Sequence, residues 1–361
     1  MKFNYLKTEN EFKLWDAFLM DSPRGHYAQL STWLDSYKAY GAKKQIIIQK
    51  EEGEIVGGIG LVIFGKGPFK LVTLPMGPIV KEGFEHLIIP LVKEGVEFSK
   101  QIGALLFQMK NPYKEGFFSP FMIPKLELPQ DLSFEKGFPF KVVVAPNILL
   151  LVNLHKDKEM NEEWEEVMLK SFKANTRRDI RKSMRNGLEF IEAKTIEVVQ
   201  AAYEIIEKNG AEQGHSVRSW KEFGPTLLEQ VHRKQAVVMT VKKDGELLGA
   251  HYGVMAGKRY SYSMVGTRRI ETDYRVGHFL HWHVIKRAKE LGLISYDFTS
   301  LGSPGVLRFK QGFQPELIEF DASHYVILSK PKFFVFNKLF PYMKKHKAKF
   351  AKVANVLLGK K

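Results

Sequence analysis

The sequence predicts an α/β (α+β) fold of two similar units in tandem, each a mixed central sheet flanked by helices. Three observations carry this. Short β-branched runs alternate with longer segments of helical period. Residues 45–109 are echoed by residues 235–298 in the same order of elements. The 361 residues suffice for about two domains.

The echo is specific. Gly53-Glu54-Ile55-Val56-Gly57 matches Gly245-Glu246-Leu247-Leu248-Gly249, and twelve residues after the first glycine of each block comes Gly-Lys, as Gly65-Lys66 and Gly257-Lys258. Each copy then runs strand, glycine, helix and hydrophobic strand, with the helices ending at Ile102-Gly103 and Leu291-Gly292. The offset is 192 residues at the hairpin and 189 at the helix end, so one small deletion reconciles them. This is the mark of an internal repeat. The expected division is residues 1–145, 146–330 and a basic tail, 331–361. Two units side by side create a cleft, a common place for ligands.

In order, Phe12 to Met20 has helical spacing and Pro23 and Gly25 break it. A helix from Ser31 to Tyr40 has Ser31 as its cap and Gly41 beyond its end. Gln45–Gln49 and Ile55–Phe64 read as a hairpin around the turn Glu51-Glu52-Gly53. Leu71–Leu74 is a strand, Phe84–Gln101 a helix and Ala104–Met109 a buried strand. Pro120–Pro139 is loop-rich, Val142–Leu154 opens the second unit with strand, and Glu159–Met168 is an acidic helix. A basic helix, Phe172 to Asn186, ends at Gly187. Val198–Asn209 is helical, and the second β unit, a helix from Gly277 to Leu291 and a strand at His324–Leu328 follow. The tail alternates lysines with Phe333, Phe334, Phe336, Phe350, Val353 and Leu357. Such a helix can lie in an anionic membrane interface or dock on the first unit.

The formal net charge of +15 favours an anionic partner such as RNA, a nucleotide-linked substrate or an acidic membrane surface. With no cysteine, disulfides, thiolate nucleophiles and cysteine-bound metals are excluded. No stretch reaches the ~18 apolar residues of a membrane span, and the polar N-terminus carries no signal segment, so a cytoplasmic protein is expected.

Several residues are candidates on their own chemistry. Gly302 to Phe313, GSPGVLRFKQGF, is a glycine-rich turn leading into Arg308-Phe309-Lys310. A mobile lysine beside such a turn can hold negative charge on an acyl oxygen. On the basic helix Lys173, Arg177, Arg181 and Arg185 recur every four residues and line one face, an anion track or a solvated surface. Tyr260 and Tyr262 share a strand face, to stack on a ligand or to pack across strands. His278, His281 and His283 do not converge and no carboxylate completes a zinc set, so no metal is assigned. Gly57-Gly58-Ile59-Gly60 runs into strand and is no dinucleotide loop. Arg275-Val276-Gly277-His278, before a helix, partly matches the acyl-CoA pyrophosphate turn of N-acetyltransferases, with His278 where a second small residue belongs.

Taken together, Gln29-Leu30-Ser31-Thr32-Trp33, the run TRRDIRKSMRNGLEF (176–190), the block GHFLHWHVIKRAKELGLISYDFTSLG (277–302) and RFKQGF (308–313) resemble the Fem family of peptidoglycan aminoacyltransferases over about residues 20 to 320. The resemblance implies two tandem GNAT-like acyltransferase domains. It implies aminoacyl-tRNA as donor, an amine of a cell-wall precursor as acceptor, and no organic cofactor. Phe309 and Lys310 match the family's Phe-Lys pair, the lysine stabilising the tetrahedral oxyanion. Lys38, Arg218, Tyr260 and Tyr262 fall where the family contacts the acceptor, and Arg308 and Asn111 join this substrate-binding set. Asn111-Pro112 replaces the family's Asp-Pro or Glu-Pro, and an amide cannot act as a base. The long helical hairpin of some members has no room between residues 190 and 235. Two other readings stand: an N-acyltransferase using acyl-CoA or another thioester at Arg275–His278, and a non-catalytic membrane-associated binding protein.

Overall fold

The computed structural model describes residues 2–143, 145–155, 159–214, 217–268, 270–321 and 323–345. Its first half runs β1 (Asn4–Tyr5), α1 (Glu9–Asp21), α2 (Ser31–Asp35), β2 (Lys43–Glu51), β3 (Glu54–Phe64), β4 (Leu71–Leu74), β5 (Ile79–Val80), α3 (Ile88–Gln101), β6 (Leu106–Met109) and β7 (Glu135–Lys136). Then come β8 (Ile148–Asn153), α4 (Glu162–Ser171), α5 (Ala174–Met184), β9 (Glu189–Glu192), α6 (Ile196–Glu212), α7 (Trp220–His232), β10 (Ala236–Lys243), β11 (Glu246–Ala256) and β12 (Arg259–Thr267). The chain continues through α8 (Val276–Glu290), β13 (Ser295–Asp297), α9 (Pro304–Gln311), β14 (Glu316–Glu319), β15 (His324–Ile327) and α10 (Lys330–Lys345).

Two mixed sheets organise these elements. One has the order β1-β2-β3-β4-β6-β15-β7, with β5 on β3, and the other β14-β8-β13-β12-β11-β10-β9. The repeat holds at single-residue detail. In β2·β3 the bulge leaves Val56 unpaired, and in β10·β11 it leaves Leu248 unpaired, at the same offset of 192. Both copies pair their next strand antiparallel and then close with a parallel pair, β4 with β6 and β12 with β13. Gly103 and Gly292 end the two crossover helices at φ +72° and +73°, which only glycine adopts freely.

The expected division at residue 330 is corrected at one element. Strand β15 lies beside β6 and β7 in the first sheet, not with the second unit. Val326 joins the apolar layer beneath α3, which explains the placement.

The units also share a core. Trp15, Trp33 and Ile48 of the first pack in one cluster with Tyr203, Phe223, Tyr252 and Val254 of the second. Alternation along β10 divides the faces. Ala236 and Val238 face that shared cluster, whereas Val237, Met239 and Val241 face α8. A buried polar chain crosses the seam. Asp16 accepts from the Ser31 N–H and hydroxyl at 2.7 Å each and from Gln235 Nε2 at 2.8 Å. Thr32 donates to Gln235 Oε1 at 2.6 Å.

Three local expectations are corrected. Ser31 sits inside α2 after Leu30, because its two donors serve Asp16 instead of a cap. Residues 220–232, given no element from sequence, form α7, opened by the Ser219/Glu222 capping box. Residues 304–311 form helix α9, because Pro304 occupies the first turn, where no N–H is needed. Of the two readings of the tail, docking describes the start of α10. Phe336 is buried against Phe69, Leu71, Leu105 and Phe140, and Lys332 donates to the Gly103 carbonyl at 3.3 Å. Phe350, Val353 and Leu357 lie outside the described residues.

Candidate active site

Strands β12 and β13 pair in parallel only across Arg259–Ser261 and Ser295–Asp297. Beyond that they diverge, and Ser263 is bulged out of the β11·β12 ladder. Their diverging ends open a cleft of about 710 Å³. Tyr27 and Trp33 line it from the first unit; Ile206, Arg218, Tyr262, Thr299 and Ser300 line it from the second. Ligands in open α/β sheets bind at such carboxyl ends of parallel strands.

One wall is an over-determined turn. Thr299 has φ +59°, a conformation costly for a β-branched residue. Several hydrogen bonds hold it. Its N–H donates to Asp297 Oδ1 at 2.8 Å, its hydroxyl to the Tyr262 carbonyl at 2.7 Å, and the Ser300 N–H to the Phe298 carbonyl at 2.7 Å. Asp297 Oδ1 also accepts from Leu150 N at 2.9 Å. Burial pushes this carboxyl up from the usual range, opposed by Arg259, whose Nε is 3.9 Å away, and by the two N–H groups.

Lys310 completes the turn. The expected mobile cation is instead only 2% exposed. Its Nζ donates to the Ser300 carbonyl at 2.6 Å, the Phe298 carbonyl at 3.1 Å and Ser300 Oγ at 3.3 Å, and lies 4.9 Å from the Tyr262 ring centroid. Removal from water pushes its pKa down from 10.5 to about 8, with Asp297 partly opposing. α9 brings Lys310 there because Phe309 and Phe313 clamp it to α8: both rings pack on His278 and on His281. Gly312 lets α9 meet α5, where Lys173 N donates to the Gly312 carbonyl at 2.9 Å.

Behind Lys310 runs a buried polar chain. Tyr260 OH meets His251 Nδ1 at 3.3 Å, His251 Nε2 meets Tyr296 OH at 3.2 Å, and Tyr296 OH meets His281 Nδ1 at 2.7 Å. Burial holds both imidazoles neutral, His251 at about 3 and His281 well below its usual value.

Tyr262, Phe309 and Lys310 thus come together, and Arg218 lines the same cleft. The Arg218 guanidinium lies among Trp33, Tyr37, Tyr40 and Phe223, with Nη1 donating to Ser36 Oγ at 2.7 Å. Lys38, on the same short helical segment as Ser36, is 64% exposed and pairs with Asp35 at 2.8 Å. The remaining candidates lie elsewhere. Tyr260 is core, its ring lying where a Cβ on Gly253 would be. Asn111 is buried in the first unit and donates to the Gly77 carbonyl at 2.8 Å. Arg177 caps α4 by donating to the carbonyls of Phe172 and Lys170 at 2.7 and 3.1 Å. Arg181 meets Glu166 of α4 at 3.7 Å, so an acidic partner comes from the neighbouring helix. Arg185 and Arg308 are exposed. His278, His281 and His283 face Phe309, Tyr296 and Phe190 respectively.

At the start of α8, Arg275 lies 3.6 Å and His278 3.8 Å from the Asp179 carboxylate, and Gly277 faces the Phe309 ring. A carboxylate and an aromatic ring thus stand beside the turn that an acyl-CoA pyrophosphate would need. Sequence reasoning missed Thr299 and Ser300 as cleft residues. Small hydroxyl side chains directly after a strand ending in Asp297 were the available signal.

Comparison with known proteins agrees with this architecture. The acetyltransferase (GNAT) domain family matches residues 170–311. The aminoacyltransferase FemB of Staphylococcus epidermidis, in three sequences, is 30% identical over 106 residues, which are 27% of this chain and 25% of FemB. The chain therefore matches about a quarter of the length of these curated relatives. Among solved structures, FemX superimposes with a TM-score of 0.76 at 17% identity, over 92% of this chain and 99% of FemX. The C-terminal domain of a putative lysylphosphatidylglycerol synthetase from Agrobacterium fabrum gives 0.51 at 12% identity, over 90% of this chain and 94% of that domain. The fold is a tandem of two GNAT-like units.

Proposed function

We propose that this acyltransferase, a relative of the Fem aminoacyltransferases, moves an aminoacyl group from aminoacyl-tRNA to an amine of a peptidoglycan precursor in the cytoplasm. The observation that carries the proposal is the cleft shared by both units, with the Lys310-braced turn at Thr299–Ser300 on its wall and Arg218 in its lining. In this reading the acceptor amine attacks the ester carbonyl of the charged tRNA. The positive charge of Lys310 stabilises the oxyanion through the turn that it holds, because a fixed cation in a dry site acts strongly on developing charge. Arg218 and Lys38 contact the acceptor's phosphates and Tyr262 its sugar. Phe309 holds the lysine-bearing helix in place. The exposed basic residues of α5 and Arg308 supply a surface for anionic substrate.

The thioester reading has less support, because Asp179 stands 3.6 Å from Arg275 where a pyrophosphate would need positive potential. Among the described residues no helix is long and apolar enough to cross a membrane.

The test is transfer of radiolabelled amino acids from a pool of charged tRNA to lipid-linked and nucleotide-linked precursors, with Lys310→Ala alongside. Transfer by the wild type and its loss in a folded variant is the expected result. No transfer to any precursor by a folded wild type would overturn it and move attention to thioester donors.

A further inference from the structure

We propose that Ser300, not Lys310 itself, is the donor that touches the reacting carbonyl oxygen; the inference rests on the acyl-transfer reading above and names the contact within that site. An ammonium has three N–H donors. Those of Lys310 face the Phe298 carbonyl, the Ser300 carbonyl and Ser300 Oγ, and the residue is 2% exposed. Lys310 does not appear in the cleft lining, whereas Ser300 is exposed in it. Ser300 Oγ accepts from Lys310 at 3.3 Å, and among the described residues its own proton meets no acceptor. A hydroxyl that accepts from a cation becomes a stronger donor through its remaining proton. The turn meanwhile fixes its place through the bonds to Asp297, Tyr262 and Lys310.

The lone pair of the acceptor amine forms the new C–N bond while the carbonyl π pair moves onto oxygen, where the Ser300 O–H donates a hydrogen bond. On collapse the carbonyl re-forms and the ester C–O bond breaks, its pair leaving on the ribose oxygen of the tRNA. The proton shed by nitrogen ends on that oxygen, giving an amide and a free tRNA hydroxyl. Ser300 neither gains nor loses a proton overall.

Ser300→Ala tests this cleanly, because the shortest Lys310 bond is to the Ser300 backbone carbonyl and survives the substitution. Wild type, Ser300→Ala, Ser300→Thr and Lys310→Met are compared in transfer from charged tRNA. In parallel, ¹³C NMR follows the titration of the Lys310 side chain, assigned by its loss in Lys310→Met. Expected for Ser300→Ala is a kcat lowered roughly 100-fold or more, with the acceptor KM within about twofold and Lys310 still titrating as one group. Ser300→Thr, which keeps the hydroxyl, should recover most of the rate. A Ser300→Ala kcat within about threefold of wild type overturns the proposal. So does a loss of rate accompanied by collapse of the Lys310 titration, which would mark Ser300 as structural only. A wild type inert toward every donor fails the underlying reading, and is seen before any variant is compared.

Discussion

The Cβ that Gly312 lacks would sit 2.2 Å from Oγ1 of Thr176. This one approach joins two stretches far apart in sequence, the start of the basic helix and the end of the helix that carries Lys310. Gly312→Ala should therefore cost about 2 kcal/mol of stability through overpacking, read as a lower urea midpoint at unchanged m-value. Thr176→Ala in the same chain should recover much of that loss, since it removes the clashing hydroxyl. An additive double mutant would refute the direct contact.

Lys310 gives a pH prediction. Its pKa is about 8 in the fold and 10.5 in the unfolded chain, so the unfolded state binds more protons between these values. Stability contributed at this position therefore rises with pH from about 8 towards 10.5 and is flat below. Relative to Lys310→Met, the wild type should gain up to roughly 1 kcal/mol per pH unit in that window, measured by urea unfolding at several pH values. Transfer activity should fall as pH rises through about 8, where the folded protein loses the ammonium.

Arg218 lines the cleft in an aromatic setting that suits a planar guanidinium. Arg218→Ala should raise the KM for a phosphate-bearing acceptor about tenfold or more with a smaller change in kcat. Arg218→Lys should restore little, because an ammonium cannot stack on Tyr37 and Phe223 while reaching Ser36. Steady-state kinetics with the nucleotide-linked precursor distinguish these outcomes.

Asp16 is buried at the seam between the units with Ser31, Gln235 and Arg233 around it. Asp16→Ala strips the acceptor from all three and should cost on the order of 3 kcal/mol. A thermal or urea melt followed by tryptophan fluorescence checks it, with Trp15 and Trp33 in the shared core as reporters.

The repeat was legible because hairpin turns and helix ends need glycine at fixed places, and those glycines survive in register. The bulges at Val56 and Leu248 show how far the two copies agree. The contribution of Lys310 was legible only as chemistry. Its burial depends on a turn whose bonds come from Asp297, Tyr262 and the lysine together, and no local pattern announces such convergence. The neighbours of the α5 arginines were hidden for a related reason. Spacing placed Arg177 and Arg181 on one face, but it did not announce the carbonyls of Lys170 and Phe172 that Arg177 meets, or the Glu166 carboxylate on α4 that lies 3.7 Å from Arg181. Asn111 and Tyr260 likewise turned inward, one to a loop carbonyl and the other across Gly253.

Strand β15 gives the order of biosynthesis a physical consequence. The parallel pair β4·β6 lacks its outer neighbour until residues 324–327 have left the ribosome. The half made first must then wait with the edge of β6 open through the synthesis of some two hundred further residues. An open edge is a template for pairing with another chain. The nascent protein is thus most exposed to mispairing late in translation, and fragments stopped before residue 324 carry that hazard permanently.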